Sequence, residues 1–303
     1  MTVLDLHMHT VYSDGASTPE ELVSACAAQN LSAIAVTDHD TVSSLPYVQA
    51  CGEAHGLEII PGIEINTVWD RPLVDNPKSE GSNTPVKTAL QEVHVLGYFI
   101  NPNASALIRI MDSHYRWRLE QIAEMVDRIN HKHRLFLDFD AIQERSGLGT
   151  LGRPHIAQAI VEKKGAYTVS EAFTRYLKPN CPTYVRRKTA TPHEAVEAIH
   201  ESGGIPVIAH PGEMEGIEKL TVELMDYGLR GLEAYHRSHS PGVIEFHCSL
   251  AEKYGLIVTG GTDFHGTGDA YAKALERLHM PSFVYERLSA ERKNRQHSLF
   301  KAS

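Results

Sequence analysis

Two histidines one residue apart, His7-Met8-His9, close the first apolar run of the chain, and a carboxylate, Asp14, follows five residues later. Thr2 to Leu6 (T-V-L-D-L) is short, β-branched at Val3 and without helical period, which predicts a strand. Side chains alternate across a strand, so His7 and His9 project from one face, and Asp14 follows in a polar Ser13-Asp14-Gly15 turn. Two imidazoles and a carboxylate meeting at a strand end are metal-ligand chemistry. An isolated His-x-His is better read as a capping histidine beside a surface one. Recurrence is what constrains the fold: Ser32–Thr37 runs into Asp38-His39-Asp40, Ile205–Ala209 into His210-Pro211, and Leu256–Gly261 into Thr262-Asp263-Phe264-His265. Only a fold that gathers strand ends on one face makes use of that pattern, and parallel α/β folds do so.

The rest of the chain fits that expectation. Thr18-Pro19-Glu20-Glu21 carries an N-cap, a proline at the first helical position and a capping-box glutamate, and opens a helix to about Asn30. Strand Ser32–Thr37, a helix near Val42–His55 and strand Glu58–Ile65, which carries Glu64, continue a β-α-β-α-β rhythm. That rhythm predicts parallel strands with helices outside, as a barrel or an open doubly wound sheet. Asp70 to Leu90 has no apolar period and reads as a mobile surface loop; Val93–Phe99, with His94, resumes the sheet. From Asn103 to about His133 the pattern is helical, and shorter helical stretches follow near Phe139–Arg145, Arg153–Lys164 and Val169–Leu177. The expected division is a scaffold of residues 1–100 and 191–303 with seven strands, interrupted by a helical insertion at 101–190. Thr191-Pro192-His193-Glu194 repeats the capping box, Leu229–Tyr235 is a strand, and Ser240-Pro241 opens a helix to Tyr254. The basic, polar stretch Ala290–Ser303 is expected to fray.

Charge narrows the function. The net charge is −9, distributed as −10 over residues 1–100, +4 over 101–200 and −3 over 201–303. Acidic outer thirds suit cations, and a basic middle suits a small anionic substrate better than long double-stranded nucleic acid. The chain has 18 histidines, and its four cysteines, Cys26, Cys51, Cys181 and Cys248, form no Cys-x-x-Cys pair. Neither a zinc knuckle nor a redox pair is indicated, and a reducing, cytoplasmic setting is expected. No signal peptide and no membrane span are expected, since the first strand already carries ligands and no apolar run is long enough.

Collected at strand ends or within strands are His7, His9, Asp14, His39, Glu64, His94, His210, Asp263 and His265. They exceed what one ion needs and suit two or three divalent ions; with no thiolate among them, Mn²⁺, Fe²⁺ and Zn²⁺ all qualify, manganese being placed first. H-M-H…S-D-G, T-D-H-D, G-I-E, H-V-L-G, A-H-P and T-D-F-H, in that order, resemble the PHP (polymerase and histidinol phosphatase) family. The resemblance implies a distorted (β/α)7 barrel, a trinuclear metal centre and phosphoester hydrolysis. It implies further that His7, His9, Glu64 and Asp263 hold one ion, that Glu64 bridges to a second held by His94 and His210, and that Asp14, His39 and His265 hold the third. The middle of the chain looks like the insertion of the family's stand-alone phosphoesterases, a subgroup that includes a 3′,5′-nucleotide bisphosphate phosphatase. Gly152-Arg153-Pro154-His155, Tyr176-Leu177-Lys178-Pro179, Tyr184 and the strand-end Ser238-His239 carry that likeness. Arg153, His155, Lys178, Tyr184, Ser238, His239, Arg116 and Arg118 are then the expected substrate contacts, Arg153 and His155 standing at a helix start that favours phosphate.

The expected reaction is hydrolysis of a phosphomonoester by a metal-bridging hydroxide, with Asp263 or His239 handling a proton. The leading substrate is a nucleoside 3′,5′-bisphosphate such as 3′,5′-bisphosphoadenosine, cut at the 3′-phosphate to give AMP. The alternatives are 5′→3′ removal of nucleotides from short 5′-phosphorylated RNA, histidinol-phosphate hydrolysis and, from another class, an inactive metal-binding regulatory or polymerase-accessory module.

Overall fold

Strand β1 (Leu4–Asp5) lies beside β2 (Ala33–Ile34), and β2 beside β3 (Glu58–Ile59), all parallel. Helices α1 (Pro19–Ala28) and α2 (Leu45–His55) supply the crossovers that parallel pairing needs. The capping box forms: Glu21 N–H donates to Thr18 Oγ1 at 3.2 Å, and Thr18 N–H donates to Glu21 Oε2 at 2.8 Å. The computed structural model describes residues 4–72, 88–147 and 149–302, with the backbone alone for 297–302.

A second sheet takes the order β4 (Gly62–Pro72), β5 (Thr88–Tyr98), β6 (Ile205–Ile208), β7 (Gly231–His236), β8 (Ile257–Gly261). Here the expectation of parallel strands is corrected. β5 runs antiparallel to both neighbours, so it alone is reversed in this sheet, and parallel pairing joins β6 to β7 and β7 to β8. The β-α-β rhythm that predicts parallel pairing is met by β1, β2 and β3 and does not extend to β5, where apolar period carries no strand direction. The single strand expected over Glu58–Ile65 is two, β3 and β4, because Pro61 between them has no N–H to donate. Eight strands are therefore described where seven were expected. The ends of the expected Asp70–Leu90 loop are ladder: Asp70 pairs with Leu90 and Pro72 with Thr88. Residues 73–87 of that loop lie outside the described ones.

Hydrogen bonds join the two sheets on both flanks. Leu6 N–H donates to Gly260 O at 3.3 Å and His9 N–H to Phe264 O at 2.9 Å; on the other side Asp40 N–H donates to Glu64 O at 2.8 Å. Gly261 makes the first junction possible, since a Cβ there would stand 2.3 Å from His7 Cβ and 2.5 Å from His7 N. The remaining helices are α3 (Ser105–His133), α4 (Phe139–Glu144), α5 (Arg153–Glu162), α6 (Val169–Ala172, continued by a π-helical turn at Phe173–Leu177), α7 (Pro192–Glu201), α8 (Ile217–Met225), α9 (Pro241–Tyr254), α10 (Tyr271–Leu275) and α11 (Phe283–Ala302). Where Ala290–Ser303 was expected to fray, α11 runs helical to Ala302, and Arg295 ties it to the His200 carbonyl at 3.0 Å; Ser303 lies outside the described residues.

Apolar residues bury in three clusters. The first lies between the strands and α7, α8 and α9, and takes Ala106, Leu107 and Ile110 from the front of α3. A second is drawn from the back of α3, from Ile122 on, with α4, α5 and α6. The third packs α1, α2 and α10 on the three-stranded sheet through Met8, Leu22, Ile34, Val48 and Tyr271. Each large buried side chain contributes roughly 1.5–3 kcal/mol, so the back of α3 sits in a core of its own rather than on the sheet's. Among the described residues no helix is long and apolar enough to cross a membrane.

Candidate metal centre

Five imidazoles converge on one buried carboxylate. Glu64, on β4, points inward between the buried Ile63 and Ile65 and is fully enclosed. Its Oε2 lies 3.1 Å from His7 Nε2, 3.2 Å from His9 Nε2 and 3.0 Å from His39 Nδ1. Its Oε1 lies 2.9 Å from His94 Nδ1 and 3.1 Å from His210 Nε2. Asp263 Oδ1 joins from beyond β8, 3.4 Å from His7 Nε2 and 3.2 Å from His9 Nε2. Asp14 lies at the outer edge, 3.1 Å from His265 Nε2, 3.8 Å from His39 Nε2 and 3.9 Å from His9 Nδ1. Three overlapping groups have donor atoms within 4.8 Å of one another: His7, His9, Glu64 and Asp263; His39, Glu64 and His94; and His9, Asp14, His39 and His265.

The donor set fits divalent metal ions. His9 Nε2 and His39 Nδ1 are buried and make no hydrogen bond, yet both face Glu64. Unpartnered buried ring nitrogens crowded on a carboxylate are costly unless something electrophilic sits among them. Burial alone would lift the Glu64 carboxyl, but His39, His7 and His94 together hold it well below the usual carboxylate range. Burial likewise opposes a proton on His7, and Glu233 with Glu64 outweighs it, holding His7 well above the usual range. His9 is raised to about 9, Asp263 and Glu64 overcoming burial, whereas burial pushes His39 down to about 3. His39 would thus meet an ion as a neutral imidazole, while His7 and His9 would exchange a proton for it.

Carboxylates behind the cluster fix its geometry, and sequence reasoning passed over them. Asp5 accepts the His7 and Thr262 N–H groups and the Tyr271 hydroxyl. Asp38 accepts Thr10 N–H at 2.7 Å and the Ser13 hydroxyl at 2.6 Å, holding the turn that carries Asp14. Glu233 stands behind His7. Asp40 faces His114 Nδ1 at 2.8 Å, Arg118 Nη2 at 2.9 Å and Arg187 Nη1 at 3.5 Å, and accepts Asn66 N–H at 3.0 Å. His236 Nε2 lies 3.7 Å from Asp263 Oδ2. The available signals were an inward carboxylate in the apolar run Leu232-Glu233-Ala234 and the basic run Arg186-Arg187-Lys188.

A cleft of about 570 Å³ opens beside His94, lined by Arg118, Arg153, Arg186, Arg187 and Tyr184. A larger one, about 870 Å³, lies across Arg118 beside His39 and is walled by Tyr12, Met111, Tyr115 and Leu119. Of the expected substrate contacts, Arg153, Tyr184 and Arg118 line the first cleft. Arg153 donates to Leu177 O at 3.3 Å, with its guanidinium 5.8 Å from the centre of the Tyr184 ring. The others are placed elsewhere. His155 turns back on its own helix cap, its Nδ1 accepting Gly152 N–H at 3.1 Å. Arg116 stays on its own helix, on Asp112 O and the Ser113 hydroxyl. Lys178 is exposed and lines neither cleft, and Ser238 bonds His236 Nδ1 at 2.7 Å. Both His239 nitrogens are engaged by backbone, Nδ1 donating to Ala234 O at 2.8 Å and Nε2 accepting Gly212 N–H at 3.1 Å.

The PHP domain family model matches residues 5–178 of the chain. A 3′,5′-nucleoside bisphosphate phosphatase of Chromobacterium violaceum is 29% identical over 273 residues, 89% of this chain and 89% of its own. The 5′-3′ exoribonuclease Rnm of Salmonella typhimurium is 29% identical over 269 residues, 87% of this chain and 85% of its own. Among solved structures, one described as a metal-dependent phosphoesterase from Bifidobacterium adolescentis superposes with a TM-score of 0.69 at 27% identity, covering 92% of this chain and 97% of that one. An amidohydrolase from Chromobacterium violaceum with bound sulfate and no metal gives 0.68 at 27% identity, covering 93% and 99%.

Proposed function

The chain belongs to the PHP domain family and is a metal-dependent phosphoesterase, and from that premise we propose that it removes the 3′-phosphate of a nucleoside 3′,5′-bisphosphate, giving a nucleoside 5′-monophosphate. The observation that carries this reading is the charge of the smaller cleft. Arg118, Arg153, Arg186 and Arg187 line it against the single carboxylate Glu92, with Asp40 bound behind two of them. Four guanidinium groups against two carboxylates leave a charge of about +2, which a phosphate dianion would balance. With the scissile phosphate at the Glu64 cluster, a remote second phosphate has this cleft to occupy. Histidinol phosphate carries no such group.

In this reading the scaffold is a distorted (β/α)7 barrel in which β3 and β4 count as one strand broken at Pro61, and the helical segment 101–190 is an insertion that supplies the arginines. His7, His9, Glu64 and Asp263 would hold one ion, His94, His210 and Glu64 a second, and Asp14, His39 and His265 a third, with Mn²⁺ placed first. Bound ions supply Lewis-acid activation of water and of the phosphoryl oxygens. The chain's own groups orient the substrate: the arginines neutralise the remote phosphate, and Tyr184 backs Arg153. Water replaces the 3′-oxygen at phosphorus, the P–O bond breaks, and the released oxygen takes a proton. His236, His9 and His7 outweigh the burial of Asp263 and hold its carboxyl well below the usual range, so it acts as an acceptor rather than a donor.

A second reading, 5′→3′ removal of nucleotides from short 5′-phosphorylated RNA, is favoured by the larger cleft beside His39, which would take the chain continuing past the scissile phosphate. Phosphate and nucleotide release from 3′,5′-bisphosphoadenosine, histidinol phosphate and a 5′-phosphorylated dinucleotide, assayed side by side after metal loading, tests both. Preference for the first substrate supports the proposal and preference for the dinucleotide replaces it. No turnover of any would leave the inactive accessory module.

A further inference from the structure

Glu233 has no assigned part in the chemistry above, yet it is fully buried on β7 between Leu232 and Ala234, which are equally enclosed. A carboxylate in such a place costs several kcal/mol in lost solvation unless its oxygens are used. They are. Oε1 and Oε2 lie 3.0 and 3.2 Å from His7 Nδ1, and Oε2 also accepts His210 N–H at 2.7 Å. Facing carboxylate oxygens only, His7 Nδ1 can act only as a donor, so a lone pair that the ring offers an ion would lie on Nε2, the atom that faces Glu64 Oε2 at 3.1 Å. At His210 Glu233 holds the backbone rather than the ring. That backbone has a φ of 22°, a sparsely populated conformation for a side-chain-bearing residue, and from it His210 Nε2 reaches Glu64 Oε1 at 3.1 Å.

One carboxylate therefore grips two histidines that meet opposite oxygens of the same glutamate. We infer that Glu233 is a positioning residue that couples the two ion positions sharing Glu64, by fixing the ring of His7 and the backbone of His210 at once. The inference rests on reading the cluster as a metal centre. It also separates the third position, because among the described residues Asp14, His39 and His265 have no contact with Glu233 given by a hydrogen bond or ion pair.

The test is Mn²⁺ binding to the metal-free full chain, wild type against Glu233→Gln, with free ion counted by electron paramagnetic resonance and bound ion by elemental analysis. Glu233→Gln is expected to weaken two ions together, about 10–100-fold, the range for losing a partner behind a metal-bound histidine. Any ion held at Asp14, His39 and His265 should keep its affinity. Melting of the metal-free proteins is read alongside, because a purely structural role would lower that melting point and weaken all ions alike. If Glu233→Gln fails to fold, Glu233→Asp, which keeps the charge but withdraws it by one methylene, is expected to show the same paired loss. A folded variant with unchanged Mn²⁺ binding, or with uniform loss at every ion, overturns the assignment of Glu233 alone. A wild type that binds one ion at most overturns the metal-centre reading together with it.

Discussion

Arg153→Ala separates the role of the arginine cleft from that of the metal cluster. Its guanidinium sits at the first turn of α5, with one hydrogen bond of 3.3 Å to Leu177 O and the Tyr184 ring 5.8 Å away. Losing a long hydrogen bond and a half-exposed cation–π contact costs on the order of 1 kcal/mol of stability, so the variant should fold. A charge-assisted contact to a phosphate contributes about 1.5–3 kcal/mol. Its loss should lower kcat/KM for 3′,5′-bisphosphoadenosine roughly ten- to hundredfold, most of it in KM. p-Nitrophenyl phosphate has no second phosphate and should change less than about twofold by the same reasoning. Metal content should be unchanged, because Arg153 touches no residue of the cluster. Steady-state kinetics on both substrates, with elemental analysis, checks this. If both rates fall together, Arg153 acts at the reacting phosphate; if neither falls, the cleft does not bind the second phosphate and the argument from its charge fails.

Chelation should abolish activity, and Glu64→Gln should remove two ions where His265→Ala removes one, since Glu64 is met by five imidazoles and His265 is not among them; equal metal loss in the two variants would sink the bridging role. Loading the metal-free protein at pH 7 should release protons, visible by calorimetry in buffers of different ionisation enthalpy, because His9 titrates near 9 and His7 is held well above its usual range. By the same linkage a raised histidine stabilises the metal-free fold fully below its unfolded value of about 6.5 and loses that contribution as pH rises through about 9, so metal-free melting should fall across that window. Gly261→Ala should destabilise the fold by about 1–3 kcal/mol or more, since the added carbon meets His7 backbone rather than a movable side chain, and metal binding should weaken with it; unchanged melting would refute the close β1–β8 approach. His239→Asn should lower activity without removing a limb of the pH–rate profile, because burial lowers its pKa and both ring nitrogens already serve Ala234 and Gly212; a lost limb would restore it as the proton-transfer group.

The parts legible in the sequence were those set by local periodicity. A strand's two-residue alternation placed His7 with His9 and set Glu64 apart from Ile63 and Ile65, and the capping boxes at Thr18 and Thr191 form where they stand. What escaped depends on contacts between distant segments. Strand direction at β5, the partnership of Asp40 with Arg187 and the use of Glu233 leave no periodic trace, because each joins residues far apart in sequence. The expectation for α11 erred differently. Its tail is polar, and it is fastened by Val284 and Leu288 and by polar contacts to distant segments such as Arg295–His200 and Glu291–Arg230. Arg116 and His155 line neither cleft: Arg116 bonds Asp112 O and the Ser113 hydroxyl, and His155 Nδ1 accepts Gly152 N–H, pairings within one helix turn that residue type alone does not announce.

Backbone strain marks where the site was assembled against local preference. Three side-chain-bearing residues at strand ends, Asp40, His210 and Asp263, have φ values of 57°, 22° and 48°. Each such residue costs on the order of 1–3 kcal/mol and persists only if neighbours over-determine it. The neighbours are identifiable. Asp40 is held by Asn66, His114 and Arg118, and His265 Nδ1 bonds the Asp263 carbonyl at 3.0 Å. His210 is held by Glu233 on its N–H, while the peptide at Gly212 is clamped between His239 on its N–H and His247 on its carbonyl at 2.8 Å. His239 and His247 thus both bond the Gly212 peptide, and Glu233, a glutamate that no motif contains, bonds two of the candidate ligands. Strain at these turns gives the candidate ligands their convergence, and the buried polar groups behind them offset its cost, so substitutions behind the site should be felt in metal affinity before they are felt in the fold.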